Sequence, residues 1–118
     1  MAKHNELGNL GENIAANHLI SKGYVILERQ WHYKHKEIDI IAKKENTISI
    51  VEVKTRSSEK YGDASDFITE KKMEFLAEAA EAYSESIGFT GELKFDVVVI
   101  FVENNNYKIE HIENAFVS

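Results

Sequence analysis

The chain contains no cysteine and no proline. Without thiols it cannot build a disulfide scaffold, a thiolate zinc site or a cysteine nucleophile, and such usage is compatible with a reducing compartment. Without proline, chain breaks must be read from Gly, Asn and Ser, and glycine itself is scarce at 6 residues in 118. No apolar run approaches the length of a membrane span, and the opening Met1-Ala2-Lys3-His4-Asn5-Glu6 is too polar for a signal peptide. The expectation is a soluble cytoplasmic protein without a membrane partner. Its length suits one domain, residues 1–118, with a core that needs no staple.

A surplus of positive charge is also missing, since the net charge is −6. Taken alone this argues against a nucleic-acid partner, whose phosphates require Lys and Arg to displace counterions. The charge is unevenly spread, however. Residues 1–72 hold 12 of the 14 basic residues against 11 acidic ones, whereas residues 73–118 hold 2 basic against 9 acidic. A local basic surface around Lys54, Arg56, Lys60, Lys71 and Lys72 therefore remains compatible with the composition.

What is present is a pair of β-branched runs, Glu37-Ile38-Asp39-Ile40-Ile41 and Ile48-Ser49-Ile50-Val51-Glu52-Val53-Lys54, separated by the polar stretch Lys43 to Asn46. They read as an antiparallel hairpin. A turn centred on Glu45-Asn46 sets Asp39 opposite Glu52 and Glu37 opposite Lys54, all on one face. The other face then carries Ile38, Ile40 and Ala42 against Ser49, Val51 and Val53. Two carboxylates directly opposed are destabilising unless a positive charge lies between them, and a divalent cation would resolve that conflict.

Around this hairpin, Asn5 is a candidate cap for a helix carrying Leu7, Leu10, Ile14 and Leu19, with Gly23 as its stop. Glu12 shares a helical stripe with Ala15, Ala16 and Leu19, so an acid is aimed along a partly buried face. Tyr24 to Trp31 reads as a first strand and Thr55 to Asp66 as a polar loop. Met73, Leu76, Ala80, Tyr83 and Ile87 recur at helical spacing over Ile68 to Ile87, with Glu74, Glu78, Glu81 and Glu85 on the exposed side. Phe95 to Val102 suits a central strand buried on both faces, and Tyr107 to Ile112 an edge strand. The order is α-β-β-β-α-β-β, an α/β fold with a mixed sheet flanked by helices.

Asp39 and Glu52 have the chemistry of a magnesium site, since Mg²⁺ takes oxygen ligands, retains waters and is often held by one or two carboxylates plus substrate phosphate. Lys54 projects from the same face, where an ammonium could orient an attacking water and offset charge developing on phosphorus. Glu12 would complete the site if the first helix packs across this face, a placement favoured because Ile41, Ile48 and Ile50 need cover. Glu37 is expected to pair with Lys54 and orient it.

Asp39 followed after a turn by Glu52-Val53-Lys54 resembles the PD-(D/E)xK pattern of restriction-endonuclease-like nucleases. More narrowly, five blocks in order resemble the YraN-like family of predicted endonucleases, similar to archaeal Holliday-junction resolvases. They are Gly8-Asn9-Leu10-Gly11-Glu12-Asn13-Ile14-Ala15, Glu37-Ile38-Asp39-Ile40-Ile41-Ala42, Val51-Glu52-Val53-Lys54-Thr55-Arg56, Phe95-Asp96-Val97-Val98 and His111-Ile112-Glu113-Asn114-Ala115-Phe116. The resemblance covers nearly the whole chain. It implies a restriction-endonuclease-like core, catalytic roles for Asp39, Glu52, Lys54 and Glu12, and Mg²⁺ or Mn²⁺ held by Asp39, Glu52 and Glu12. DNA, including branched DNA, is the implied partner, and a homodimer would suit the cutting of two symmetric strands. Three positions depart from the family's usual residues: Lys36 replaces a Gly, Gln30 stands where Asn is frequent, and the loop after Lys54 lacks a proline.

Other readings stand beside this one. Asp39 and Glu52 also fit a solvated sheet face with ion pairs to Lys54 or Lys36, and Glu12 an acid favourably placed toward its helix N-terminus. Arg56, Lys71 and Lys72 fit phosphate contacts or ordinary solvated charge. His32 and His35 have the spacing of a zinc pair, but no further ligands accompany them. Trp31 and Tyr33 fit base stacking or aromatic packing at a strand end, and Asp96, which interrupts an apolar strand, fits a paired or capping residue without a firm role. At the level of the whole protein, the alternatives to an endonuclease are a non-catalytic DNA-binding module and a protein-interaction module retaining the nuclease fold.

Overall fold

A computed structural model describes residues 3–57 and 68–116, with side chains from residue 9 onward. Seven elements follow in the expected order: α1 (Lys3–Ser21), β1 (Val25–Tyr33), β2 (Lys36–Lys44), β3 (Thr47–Arg56), α2 (Glu70–Ile87), β4 (Glu92–Glu103) and β5 (Asn106–Phe116). The strands form one five-stranded sheet in sequential order β1-β2-β3-β4-β5. The β3–β4 pairing is parallel and the other three are antiparallel. α2 is the crossover that the parallel pair requires. Among the described residues no helix is long and apolar enough to cross a membrane.

The helix ends follow local chemistry. α1 begins at Lys3, so Asn5 lies within the helix instead of capping it, and Gly23, at φ 96°, ends it. α2 is capped by the Thr69 side chain, whose Oγ1 accepts from Lys72 N, and closes at Gly88 in the left-handed conformation. The three hairpins turn at Lys34-His35, Glu45-Asn46 and Asn104-Asn105, each with its first turn residue at positive φ.

The inner sheet positions are apolar on both sides, and each helix covers one side. Ala15, Ala16 and Leu19 of α1 pack with Ile40, Ala42, Val51, Val98 and Ile100. Leu76, Ala79, Ala80 and Tyr83 of α2 pack with Ile38, Ile41, Ile48, Ile50 and Phe95. Each fully buried Ile or Leu contributes about 1.5–3 kcal/mol. This corrects the expected placement of α1, because Ile41, Ile48 and Ile50 are covered by α2 and α1 lies on the opposite face. The small Ala15 and Ala16 are buried where α1 meets the sheet, and Leu10 is half exposed. Gly11 marks the tightest approach: a Cβ there would stand 2.0 Å from Thr55 Oγ1.

Four further expectations hold. The hairpin register is as read, with Ile40 opposite Val51, Ile41 opposite Ile50 and Ala42 opposite Ser49. β4 is buried through its middle from Phe95 to Phe101, and β5 is an edge. Glu74, Glu78, Glu81 and Glu85 are all exposed.

Candidate functional site

The expected Asp39–Glu52 and Glu37–Lys54 pairs would extend the β2–β3 ladder beyond Ile40–Val51, but the ladder stops there. Val53 N donates instead to Asp39 Oδ2 at 2.8 Å. The carboxylate thus takes the place of a backbone acceptor, and the strands part where the site forms. Ile38 follows this break: it packs on the α2 side, while Ile40 and Ala42 pack on the α1 side. Glu37 is correspondingly turned toward β1, where its Oε2 lies 3.0 Å from His32 Nε2. Its assignment as the partner of Lys54 is therefore corrected. The same contact accounts for the exposed His32 as a surface histidine.

β1 is distorted at the same level. A register shift falls between Ile26 and Glu28, and Gln30 sits in mid-strand at φ 51°. A non-glycine residue held at positive φ is strained, typically by about 1–3 kcal/mol. Asn adopts this conformation more readily than Gln, which gives a physical reason for an Asn at this position.

Glu12 is 94% buried at the α1–sheet interface. Its Oε1 accepts from Arg29 Nε at 3.0 Å and its Oε2 from Gln30 Nε2 at 3.4 Å. Arg29 also donates through Nη2 to Asn13 Oδ1 at 2.7 Å. Glu12 approaches from the α1 side of the sheet, whereas Glu52 belongs to the side covered by α2. The break at Asp39 lets both influence one carboxyl group.

Glu52 is also almost fully buried. Lys54 Nζ lies 3.3 Å and Lys72 Nζ 3.6 Å from the same oxygen, Oε2. Oε1 is buried and has no hydrogen-bond partner among the described residues. A carboxylate oxygen left so is costly, on the order of 1–3 kcal/mol. The Asp39 carboxyl is pushed up to about 7, first by burial and next by the negative charge of Glu52, with a smaller push from Glu12. The Val53 N–H and the Lys72 ammonium oppose the rise without cancelling it. Burial is thus the first reason the Asp39 proton is held, and the neighbouring carboxylates add to it.

The sequence-predicted residues divide accordingly. Asp39, Glu52 and Lys54 are brought together, Glu12 adjoins them from the other face, and Lys72 joins them as a partner of Glu52. Arg56 follows at the end of β3, where its Nη1 donates to Thr55 O at 3.0 Å, and Lys71 is exposed in the first turn of α2. Lys60 lies outside the described residues. Sequence reasoning missed Arg29 as the partner of Glu12 and Lys72 as part of the carboxylate centre. For Lys72 a signal existed, because a lysine in the first turn of a helix opposes the helix dipole and calls for a nearby acid.

Among the described residues no group of three or more His, Asp or Glu side chains is gathered at metal-binding spacing. Asp39 and Glu52 together are thus a two-carboxylate set. Such a set fits a magnesium-like ion that retains water and takes phosphate oxygens, and does not fit an all-protein cage. The unpartnered Glu52 Oε1 beside the raised Asp39 carboxyl is the feature a cation would satisfy.

A second polar centre lies on β4, where Asp96 is paired with Val51 of β3. Asp96 of β4 is buried, with Oδ1 accepting from Asn114 N at 3.0 Å and Oδ2 from His111 Nε2 at 2.9 Å. Lys94 Nζ is 3.6 Å from Oδ2 and also pairs with Glu113. Burial alone would lower the Lys94 ammonium, but bonds to Glu113 and Tyr24 and the charge of Asp96 outweigh it and hold it above its usual value. A polar cavity of about 380 Å³ adjoins, lined by Tyr24, Lys44, Ser49, Lys94 and Glu113 among others.

A family profile described as "Uncharacterised protein family UPF0102" matches residues 11–100. The chain belongs to this family. It is the YraN-like family that the five sequence blocks resemble. A UPF0102 protein of Flavobacterium psychrophilum is 46% identical over 116 residues, covering 98% of both chains. One from Syntrophomonas wolfei is 46% identical over 112 residues, covering 94% of this chain and 97% of its own. One from Bacteroides thetaiotaomicron is 41% identical, with 98% and 96% covered. The UPF0102 profile thus spans Glu12, Asp39, Glu52, Lys54 and Lys72.

Proposed function

We propose that this UPF0102 protein is a divalent-metal-dependent DNA endonuclease with a restriction-endonuclease-like core of the PD-(D/E)xK type. The observation that carries this reading is the Glu52 carboxylate, with two lysines on one oxygen and none on the other, next to an Asp39 carboxyl held near neutrality. Asp39 and Glu52 would hold Mg²⁺ or Mn²⁺, with Glu12 as the outer acid. When bound, the ion supplies Lewis-acid stabilisation of the phosphate and makes water more acidic.

The remaining work falls to the chain. Water adds to phosphorus, the bond from phosphorus to one sugar oxygen breaks, and that oxygen takes up a proton. Lys54, held 3.3 Å from Glu52, positions the water and offsets charge on the phosphoryl oxygens. Lys72 supplies a second positive charge on the α2 side. Arg29 holds Glu12 turned toward the sheet. Arg56 and Lys71 are proposed to meet flanking phosphates, which position the substrate without reading its sequence.

Purified protein incubated with Mg²⁺ or Mn²⁺ and single-stranded, duplex, flap and four-way DNA tests the proposal. Cleavage of at least one substrate, lost in Glu52→Gln by about 10²-fold or more, is expected. Absence of cleavage on all four substrates in both metals would overturn it. A second reading, DNA binding without cutting, is favoured by the lack of a third assembled ligand among the described residues. It predicts metal-independent binding that survives Glu52→Ala.

A further inference from the structure

The aromatic residues beside the carboxylate centre form a file of rings running from core to surface. Trp31 lies edge-on to the buried Tyr83, with centroids 5.1 Å apart. It stacks on Tyr33 at 6.1 Å with planes 10° apart, and Tyr33 in turn tilts against Phe75 at 6.1 Å. The inner half of this file is core packing. Its outer half, Tyr33 and Phe75, is only partly buried and is ringed by ammonium groups.

Lys34 Nζ sits 5.4 Å from the centre of the Tyr33 ring, while Lys36 Nζ and Lys72 Nζ sit 5.7 Å and 5.6 Å from that of Phe75. Lys34 is neutralised by Glu78, which also accepts from Tyr33 Oη at 2.7 Å. Lys36 makes no ion pair among the described residues, and Lys72 shares Glu52 with Lys54. Two ammonium groups therefore converge on one partly buried ring, and among the described residues only Lys72 of the two has an acid, Glu52, which it shares with Lys54. Packing alone explains the rings but not this convergence, since like charges held together cost energy unless an anion joins them. The same rim leads through Lys72 directly to Glu52.

We infer that Phe75, Lys36 and Lys72 form a seat for an unpaired stretch of a nucleic-acid strand, with a base against Phe75 and its neighbouring phosphates on the two lysines. Stacking on an aromatic face accepts any base, and the lysines follow the backbone. A continuous duplex keeps its base faces covered, so the seat selects strands with unpaired nucleotides. The inference rests on the nuclease reading for placing the unpaired nucleotide beside the scissile phosphate, but binding at the seat requires no metal.

The test is fluorescence anisotropy in EDTA with a labelled thymidine strand and a blunt duplex, for wild type, Phe75→Leu and Lys36→Gln, across a salt series. Wild type is expected to prefer the single strand. Phe75→Leu should weaken that binding about tenfold. Lys36→Gln, on an exposed residue, should flatten the slope of log affinity against log salt by about 0.7. Circular dichroism and thermal melting report whether Phe75→Leu keeps its fold, and Lys36→Gln remains decisive if it does not. Equal affinity of wild type and Lys36→Gln with equal salt slopes, or preference for the duplex, would overturn the seat. Cleavage in Mn²⁺ is scored separately. Strand binding that depends on Lys36 without any cleavage supports the seat and sinks the nuclease reading, whereas cleavage with binding insensitive to both substitutions does the reverse.

Discussion

Asp39 and Asp96 are two buried or half-buried acids on one sheet, and each accepts a backbone N–H where a strand ladder is irregular: Val53 N for Asp39 and Asn114 N for Asp96. Their surroundings differ. Asp96 has its second oxygen engaged by His111 with Lys94 nearby, so its charge is matched. Asp39 faces a second carboxylate, and that neighbour keeps an unpartnered oxygen. The contrast is between an acid whose oxygens are both engaged and a pair of acids in which one Glu52 oxygen has no hydrogen-bond partner among the described residues. A complete set of partners fits a structural role, and an unfilled one is the feature on which the proposed metal site rests.

The comparison is broken most forcefully at Asp96. Asp96→Ala should destabilise the protein by about 2–3 kcal/mol, because it removes two hydrogen bonds and leaves buried donors unmatched. Urea denaturation measures this, and an unchanged midpoint would mean that the second centre is not structural. The substitution should leave the metal dependence of any cleavage intact.

At the first centre the sign reverses. Asn at position 39 can still accept from Val53 N but carries no charge, so Asp39→Asn should stabilise the metal-free protein at pH 8 by about 1–2 kcal/mol. The pH dependence follows from the raised carboxyl. The folded chain retains the Asp39 proton up to about pH 7, whereas an unfolded Asp releases it near 3.8. The native state therefore binds more protons across that window, and stability from this group is lost as pH rises through about 7. In differential scanning fluorimetry Mg²⁺ should accordingly raise the melting temperature more at pH 8 than at pH 5.5, because a cation competes with that proton. An equal Mg²⁺ shift at both pH values, or in Asp39→Asn, would show that the ion binds elsewhere.

The smallest effect sharpens the geometry around Glu12. Gln30→Asn relieves positive-φ strain but shortens the arm that reaches Glu12, so a net gain of only about 0.5 kcal/mol is expected. A loss larger than this gain would mean that the long Gln30 contact to Glu12 matters more than the backbone strain.

Much of this was legible in the chain, for identifiable reasons. Alternating β-branched residues around Glu45-Asn46 set the hairpin register, since a slip by one residue would invert every side chain. The stripe Glu12-Ala15-Ala16-Leu19 marked the buried face of α1 and Gly88 the end of α2, whereas the Thr69 cap was not legible from helical spacing, which starts the helix at Ile68. The side that each helix covers was misread, because both faces of the hairpin are apolar enough to accept one. The Glu37–Lys54 pair failed because an ideal ladder was extrapolated past Ile40, where a side chain displaces the backbone acceptor.

The sequence by itself determined the order of elements, the residues of the hairpin and the grouping of Asp39, Glu52 and Lys54 near one strand end. Those features are local, written in periodicity, turn residues and spacing. Only the tertiary structure decided that Glu12 and Lys72 reach this centre from opposite sides of the sheet, that Arg29 holds Glu12, and that Glu52 keeps an unpartnered oxygen. Each depends on residues distant in sequence, on the close passage of Gly11 over Thr55 and on the break in the ladder at Asp39. Contacts of that kind arise when separate elements pack, and no single segment encodes them.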